Sequence, residues 1–139
     1  MNKRFFIVWL VVFLAWMGGS FVIHEVLLKA DYMQIPNLFR PESETPAFLP
    51  WMLFAHVLLA GAFVWIYSQG IQARPWVGQG LRYGLAVALL TFVPIYLIYY
   101  VVQPLPASLV IKQIIFSGLL IVVLGLIAAS FYRDAPRPV

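Results

Sequence analysis

Long apolar runs, separated by short clusters of proline, glycine and charge, organise this chain. Four of them, residues 5–28, 49–67, 81–102 and 109–132, carry few charged side chains. A bilayer core about 30 Å thick needs roughly 20 apolar residues of helix, and each run is near that length. The connectors read KADYMQIPNLFRPESETPAF, SQGIQARPWVGQG and QPLPAS, rich in residues that end helices rather than extend them. The pattern predicts an all-α fold, an integral membrane four-helix bundle running up-down-up-down in one domain over residues 1–139. It leaves an outer loop at 29–48, a short inner loop at 68–80 and a polar tail at 133–139 that is expected to be disordered.

Composition fixes the solvent. The chain is 63% hydrophobic and only 10% charged, against about 25% charged in soluble domains. So little polar surface cannot cover so much apolar surface in water, so the expected surroundings are a lipid bilayer. The net charge of +4 does not point to nucleic acid, because the basic residues stand at the ends of the apolar runs. With no cysteine, disulfides, thiol catalysis and thiolate metal sites are excluded. Lys3 and Arg4 open the first run as they would a signal peptide, but the run is longer than such a segment and no small-x-small cleavage site closes it. It reads as a retained helix.

An even number of crossings puts both termini on one side. That side holds Lys3, Arg4, Arg74, Arg82, Arg133 and Arg137, and the other holds Lys29, Arg40 and Lys112. The excess predicts both termini in the cytoplasm.

Small residues mark where helices can approach closely. Gly80, Gly84 and Ala88 share one face of the third helix, and Gly118, Gly125 and Ala129 one face of the fourth; the first has Ala15, Gly18 and Gly19. These faces predict tight contacts within one bundle or between copies of it. Gly18 shares its face with Glu25, which is therefore expected to look inward. Pro94, midway along the third helix, is expected to kink it, with Thr91 or a neighbouring helix serving the freed Leu90 carbonyl.

Candidate chemistry gathers in the outer half. His24 lies roughly 6 Å and His56 roughly 10 Å from the outer boundary, at about 1.5 Å per residue. Lys112 and Gln113 occupy the first turn of the fourth helix, and Tyr96, Tyr99, Tyr100 and Gln103 are spaced along one face of the third. A glutamate inside hydrocarbon costs several kcal/mol unless paired or near water, so a contact of Glu25 with Lys112 or His56 is expected. Hydrogen-bonded glue between helices explains the cluster most simply. The competing readings are a proton, quinone or lipid-headgroup site, an anchor for a partner protein, and, least favoured, haem or metal ligation by the two histidines. No catalytic residue is assigned, since the chain has no HExxH, no nucleophile motif and no phosphate-binding glycine loop.

The strings HEVLLKADY, LFRPESETPAFLPWM, IYSQG and GQGLRYG resemble those of a group of small, uncharacterised four-helix bacterial inner-membrane proteins. The resemblance implies a bacterial membrane and the four-helix layout. This chain has Glu25 where that group carries glycine after the histidine, and no catalytic residue carries over. The expected function is that of a structural or accessory membrane protein, associating with itself or with other membrane subunits. A small transport, quinone- or lipid-binding protein is the alternative.

Overall fold

The computed structural model describes residues 3–134. Helix α1 spans Lys3–Phe21 and runs directly into a π-helical stretch, Val22–Leu27; a single turn, α2, covers Lys29–Tyr32. Two 3-10 turns follow, Pro36–Leu38 and Glu42–Glu44, the second running directly into α3, Thr45–Gln69. Then follow α4 (Trp76–Leu90), α5 (Phe92–Val102) and α6 (Ala107–Tyr132). Four segments, Lys3–Leu27, Pro36–Gln69, Trp76–Val102 and Ala107–Tyr132, are long and apolar enough to cross a membrane. Of the tail, residues 135–139 and with them Arg137 lie outside the described residues.

The spacing of buried residues along α1 accounts for its π stretch. Phe5, Val8, Val12 and Trp16 are buried at steps of three or four, the repeat of an α-helical face. Ile23 follows seven residues after Trp16 and is also buried. The next α-helical step would bury Leu27, yet Leu27 is 48% exposed and Leu28 is 0% exposed. The backbone absorbs that five-residue step with a matching hydrogen bond, Leu28 N–H to Ile23 O at 2.9 Å. One extra residue thus lets the helix bury side chains in two places. The main core joins the α1 face to Ala60, Phe63, Val64 and Tyr67 of α3 and to Ile121, Leu124, Ala128 and Ala129 of α6. A smaller core joins Ile23 and Leu28 to Leu109.

The third span is two helices. Thr91, between α4 and α5, has φ −113° and ψ −82°, so the bend expected at Pro94 falls three residues upstream. The Pro94 ring crowds the carbonyl of Leu90, four residues back, and the chain leaves the helical path there. The Thr91 hydroxyl donates to Val87 O at 2.7 Å instead of serving Leu90. Helix α3 also starts earlier than expected, because Pro46 is accommodated in its first turn, where a missing N–H costs nothing. Pro50 therefore lies inside the helix.

Glycines set the closest approach. A Cβ on Gly84 would stand 2.6 Å from Val122 Cα, and one on Gly80 would stand 2.8 Å from Gly125 O. At these positions α4 and α6 meet backbone to backbone. Gly19 faces the Leu120 side chain, and Gly61 makes room for the Trp9 ring, whose Nε1–H donates to Val57 O at 3.0 Å. Gly18 and Gly118 have no atom within 4 Å of a built Cβ, contrary to the expectation that both belong to packing faces. Gly18 lies two residues from buried Trp16, about 200° around the helix, so it faces away from the core.

Candidate functional site

The end of the bundle that carries His24 contains a chain of polar contacts reaching from α1 to α6. The α2 turn folds Tyr32 back so that its ring stacks on His24 with centroids 5.9 Å apart. Gln113 Nε2 donates to the Tyr32 oxygen at 3.2 Å, and that hydroxyl lies 2.6 Å from His24 Nδ1. With its oxygen accepting from Gln113, Tyr32 has its proton free to donate to His24, which places the proton of a neutral imidazole on Nε2. Burial pushes the Tyr32 hydroxyl up to about 12. Nearby Tyr96, Asp31 and Glu25 push the same way and the Gln113 hydrogen bond opposes them. Tyr32 is therefore a neutral donor at physiological pH.

Gln113 is 7% exposed, and its Oε1 is buried with no hydrogen-bond partner among the described residues. One turn further along α6 the buried Ser117 hydroxyl lies 3.2 Å from the Tyr96 hydroxyl. Two lateral contacts flank this line. Lys112 Nζ donates to both carboxylate oxygens of Asp31, at 2.8 and 3.0 Å. His56 Nδ1 donates to Met52 O at 2.9 Å, its Nε2 lies 3.5 Å from Ser20 Oγ, and its ring meets Trp16 edge-on.

The structure thus brings together His24, Tyr96 and Gln113, with Lys112 and His56 at the margins. It leaves out Glu25, Tyr99, Tyr100 and Gln103, which are exposed. The expected contact of Glu25 with Lys112 or His56 is replaced by the Lys112–Asp31 pair, and Glu25 has no hydrogen-bond or ion-pair partner among the described residues. Its face of α1 is the face of Gly18, which does not pack. On α5 only Tyr96 is buried. Sequence reasoning missed Asp31, Tyr32, Ser20 and Ser117. The available signal was the short KADY segment, whose charge and hydroxyl are close enough to the first span to fold back onto it. Among the described residues no group of three His, Asp or Glu side chains is placed to hold a metal.

The opposite end has its own constellation. The Tyr67 ring packs on Tyr83 at 5.2 Å and on Tyr132 at 5.8 Å, and the Arg4 guanidinium lies 6.0 Å from the Tyr132 ring centre. These contacts gather the start of α1, the end of α3, the middle of α4 and the end of α6. Tyr83 donates to Phe63 O at 2.5 Å. Beside them a cavity of about 270 Å³ is lined by Ile66, Tyr67, Gln72, Gln79, Arg82 and Tyr83.

No known family, curated protein or solved structure matches this chain.

Proposed function

We propose that this chain is a structural or accessory subunit of a bacterial inner membrane, with both termini in the cytoplasm, working as a homo-oligomer or within a larger membrane complex. The observation that carries the reading is an imbalance of packing. Where α4 crosses α6 the glycine contacts bring the two backbones together. By contrast every residue from 45 to 55 of α3 is exposed, and so is most of α5. A bundle that closes tightly on one side and leaves the first half of α3 and much of α5 exposed suits a protein whose packing is completed by other helices. The excess of basic residues on the termini side supports the orientation.

The test is purification in a mild detergent, followed by light scattering and mass spectrometry of stoichiometric companions. A discrete assembly of fixed composition is expected. A dispersed monomer carrying only lipid would overturn the reading.

A second reading is favoured by one observation, the buried and unpartnered Gln113 Oε1 beside Tyr32 and His24. An acceptor buried without a donor costs about 1–3 kcal/mol, and a small ligand or a proton-carrying water would supply that donor. A quinone, a lipid headgroup or a relayed proton fits such a place. Retention of quinone by the purified protein, lost in His24→Ala and Gln113→Leu with the assembly intact, is the corresponding measurement.

A further inference from the structure

The cavity at the Arg4 end points to a binding site separate from the His24 cluster. We infer that it takes the phosphate group of an anionic ligand, held by Arg82 and Tyr67.

The lining divides into groups that are occupied and groups that are free. Gln79 spends its carboxamide on the connector between α3 and α4. Its Oε1 accepts from the Gln72 N–H at 3.0 Å, and its Nε2 donates to Gln72 O at 2.6 Å and to Arg74 O at 3.0 Å. That clasp fixes one wall. Tyr83 is committed to Phe63 O and presents its ring. Neither the Arg82 guanidinium nor the Tyr67 hydroxyl has a hydrogen-bond or ion-pair partner among the described residues. Both are donors, and no acidic side chain lines the space. The guanidinium, with no carboxylate opposite it, therefore calls for an anionic acceptor, and the Tyr67 hydroxyl and the Gln72 carboxamide can complete its hydrogen bonds.

Charge and depth narrow the chemistry. At this end the described cations are Lys3, Arg4, Arg74, Arg82 and Arg133, and the one acid, Asp134, is engaged by Arg133 at 3.3 Å. Arg82 is exposed and stands within a segment long and apolar enough to cross a membrane; a guanidinium within such a span calls for a counter-charge. Trp65 and Trp76, both exposed, lie near the end of α3 and at the start of α4, where the two helices border the cavity. Tryptophan favours the headgroup zone, where the abundant oxyanion is the lipid phosphodiester. A volume of about 270 Å³ falls just below the roughly 300–1,000 Å³ of sites that enclose a drug-sized ligand. A headgroup fits, with its acyl chains left outside against α3 and α4. The shared chemistry is a phosphate, presented by a lipid or free in solution.

The experiment uses delipidated full-length protein in detergent. Thermal shift and native mass spectrometry are read with phosphatidylglycerol, with diacylglycerol of the same chains and with inorganic phosphate. Phosphatidylglycerol is expected to bind and to raise Tm, and diacylglycerol to do neither. Arg82→Gln should weaken the phosphatidylglycerol effect about tenfold or more, the scale of one charge-assisted hydrogen bond. Tyr67→Phe, which keeps the stacked ring, should weaken it several-fold. Arg74→Gln, outside the cavity, should leave it unchanged. Inorganic phosphate acting as strongly as the lipid, with the same dependence on Arg82, identifies a free anion as the ligand. Equal response to phosphatidylglycerol and diacylglycerol, or equal loss in Arg74→Gln and Arg82→Gln, overturns the site. If Arg82→Gln does not fold, Arg82→Lys and Tyr67→Phe carry the test, and full binding by Tyr67→Phe together with unaltered binding by Arg82→Lys counts against it.

Discussion

Lys112 and Asp31 meet across 81 residues of chain, with Nζ 2.8 Å from the nearer carboxylate oxygen. The aspartate side chain is 17% exposed and the lysine 47%, so the pair stands at a boundary rather than in the interior. It ties the α2 turn, and with it Tyr32, to the first turns of α6. A double-mutant cycle with Asp31→Asn and Lys112→Met should give a coupling of about 0.5–1 kcal/mol, measured by unfolding in mixed detergent. The coupling should shrink as salt is raised.

Substitution of the glycines should divide according to what their faces meet. Gly84→Ala forces a Cβ into the Val122 backbone and should cost about 1–3 kcal/mol, because backbone cannot rotate away as a side chain can. Gly118→Ala meets nothing within 4 Å and should change stability by less than about 0.5 kcal/mol. Unfolding of the two variants side by side checks the contrast. Equal losses would mean that Gly118 is packed in the working protein, as it would be in an oligomer.

Trp9 and Gly61 should behave as a unit. A Cβ on Gly61 would lie 3.1 Å from the Trp9 ring, displacing the indole whose N–H reaches Val57 O. Trp9→Phe alone should cost about 1 kcal/mol for the lost hydrogen bond. Once the indole is gone, Gly61→Ala should cost less than it does in the parent protein. Additive losses would contradict the packing.

The raised value for Tyr32 has a consequence at high pH. The folded state holds the phenol proton to about 12, whereas an unfolded tyrosine releases it near 10. Stability from this group is complete below about pH 10 and is lost as pH rises from there towards 12. Difference absorbance between the parent and Tyr32→Phe should show the late ionisation, and Tyr32→Phe should flatten the alkaline fall in stability.

The four membrane-length segments were legible because length and hydropathy act over twenty residues at a time, and small boundary errors do not matter on that scale. The glycine faces of α4 and α6 were partly legible for a similar reason: Gly80, Gly84 and Gly125 recur on faces that an unbroken helix presents. What the pattern could not carry was phase. An uninterrupted α-helix puts Glu25 with Gly18 on an inward face, whereas the buried stripe through Trp16 and Ile23 leaves both outside. The same difficulty hides the aspartate: Asp31 becomes the partner of Lys112 only because α2 doubles back, a tertiary event with no periodic trace. Tyr99, Tyr100 and Gln103 share a helical face with Tyr96, yet of these Tyr96 alone is buried, because how far a face stays packed along a helix is set by the neighbouring helix and not by spacing. At the other end, Arg82 and Tyr83 were visible as residues, yet a cavity depends on the connector that Gln79 pins, and no local spacing announces it.

The π-helical stretch behaves like a single surplus residue spliced into α1, and this bears on which deletions the gene can tolerate. Val26 is 61% exposed and lies between Ile23 and Leu28. Excising it would shorten their separation to four and convert the wide turn to an ordinary one, with both side chains still directed at Leu109. Excising a residue two turns earlier would instead rotate everything downstream by about 100° and tear one core from the other. Tolerance to shortening should therefore be confined to this turn.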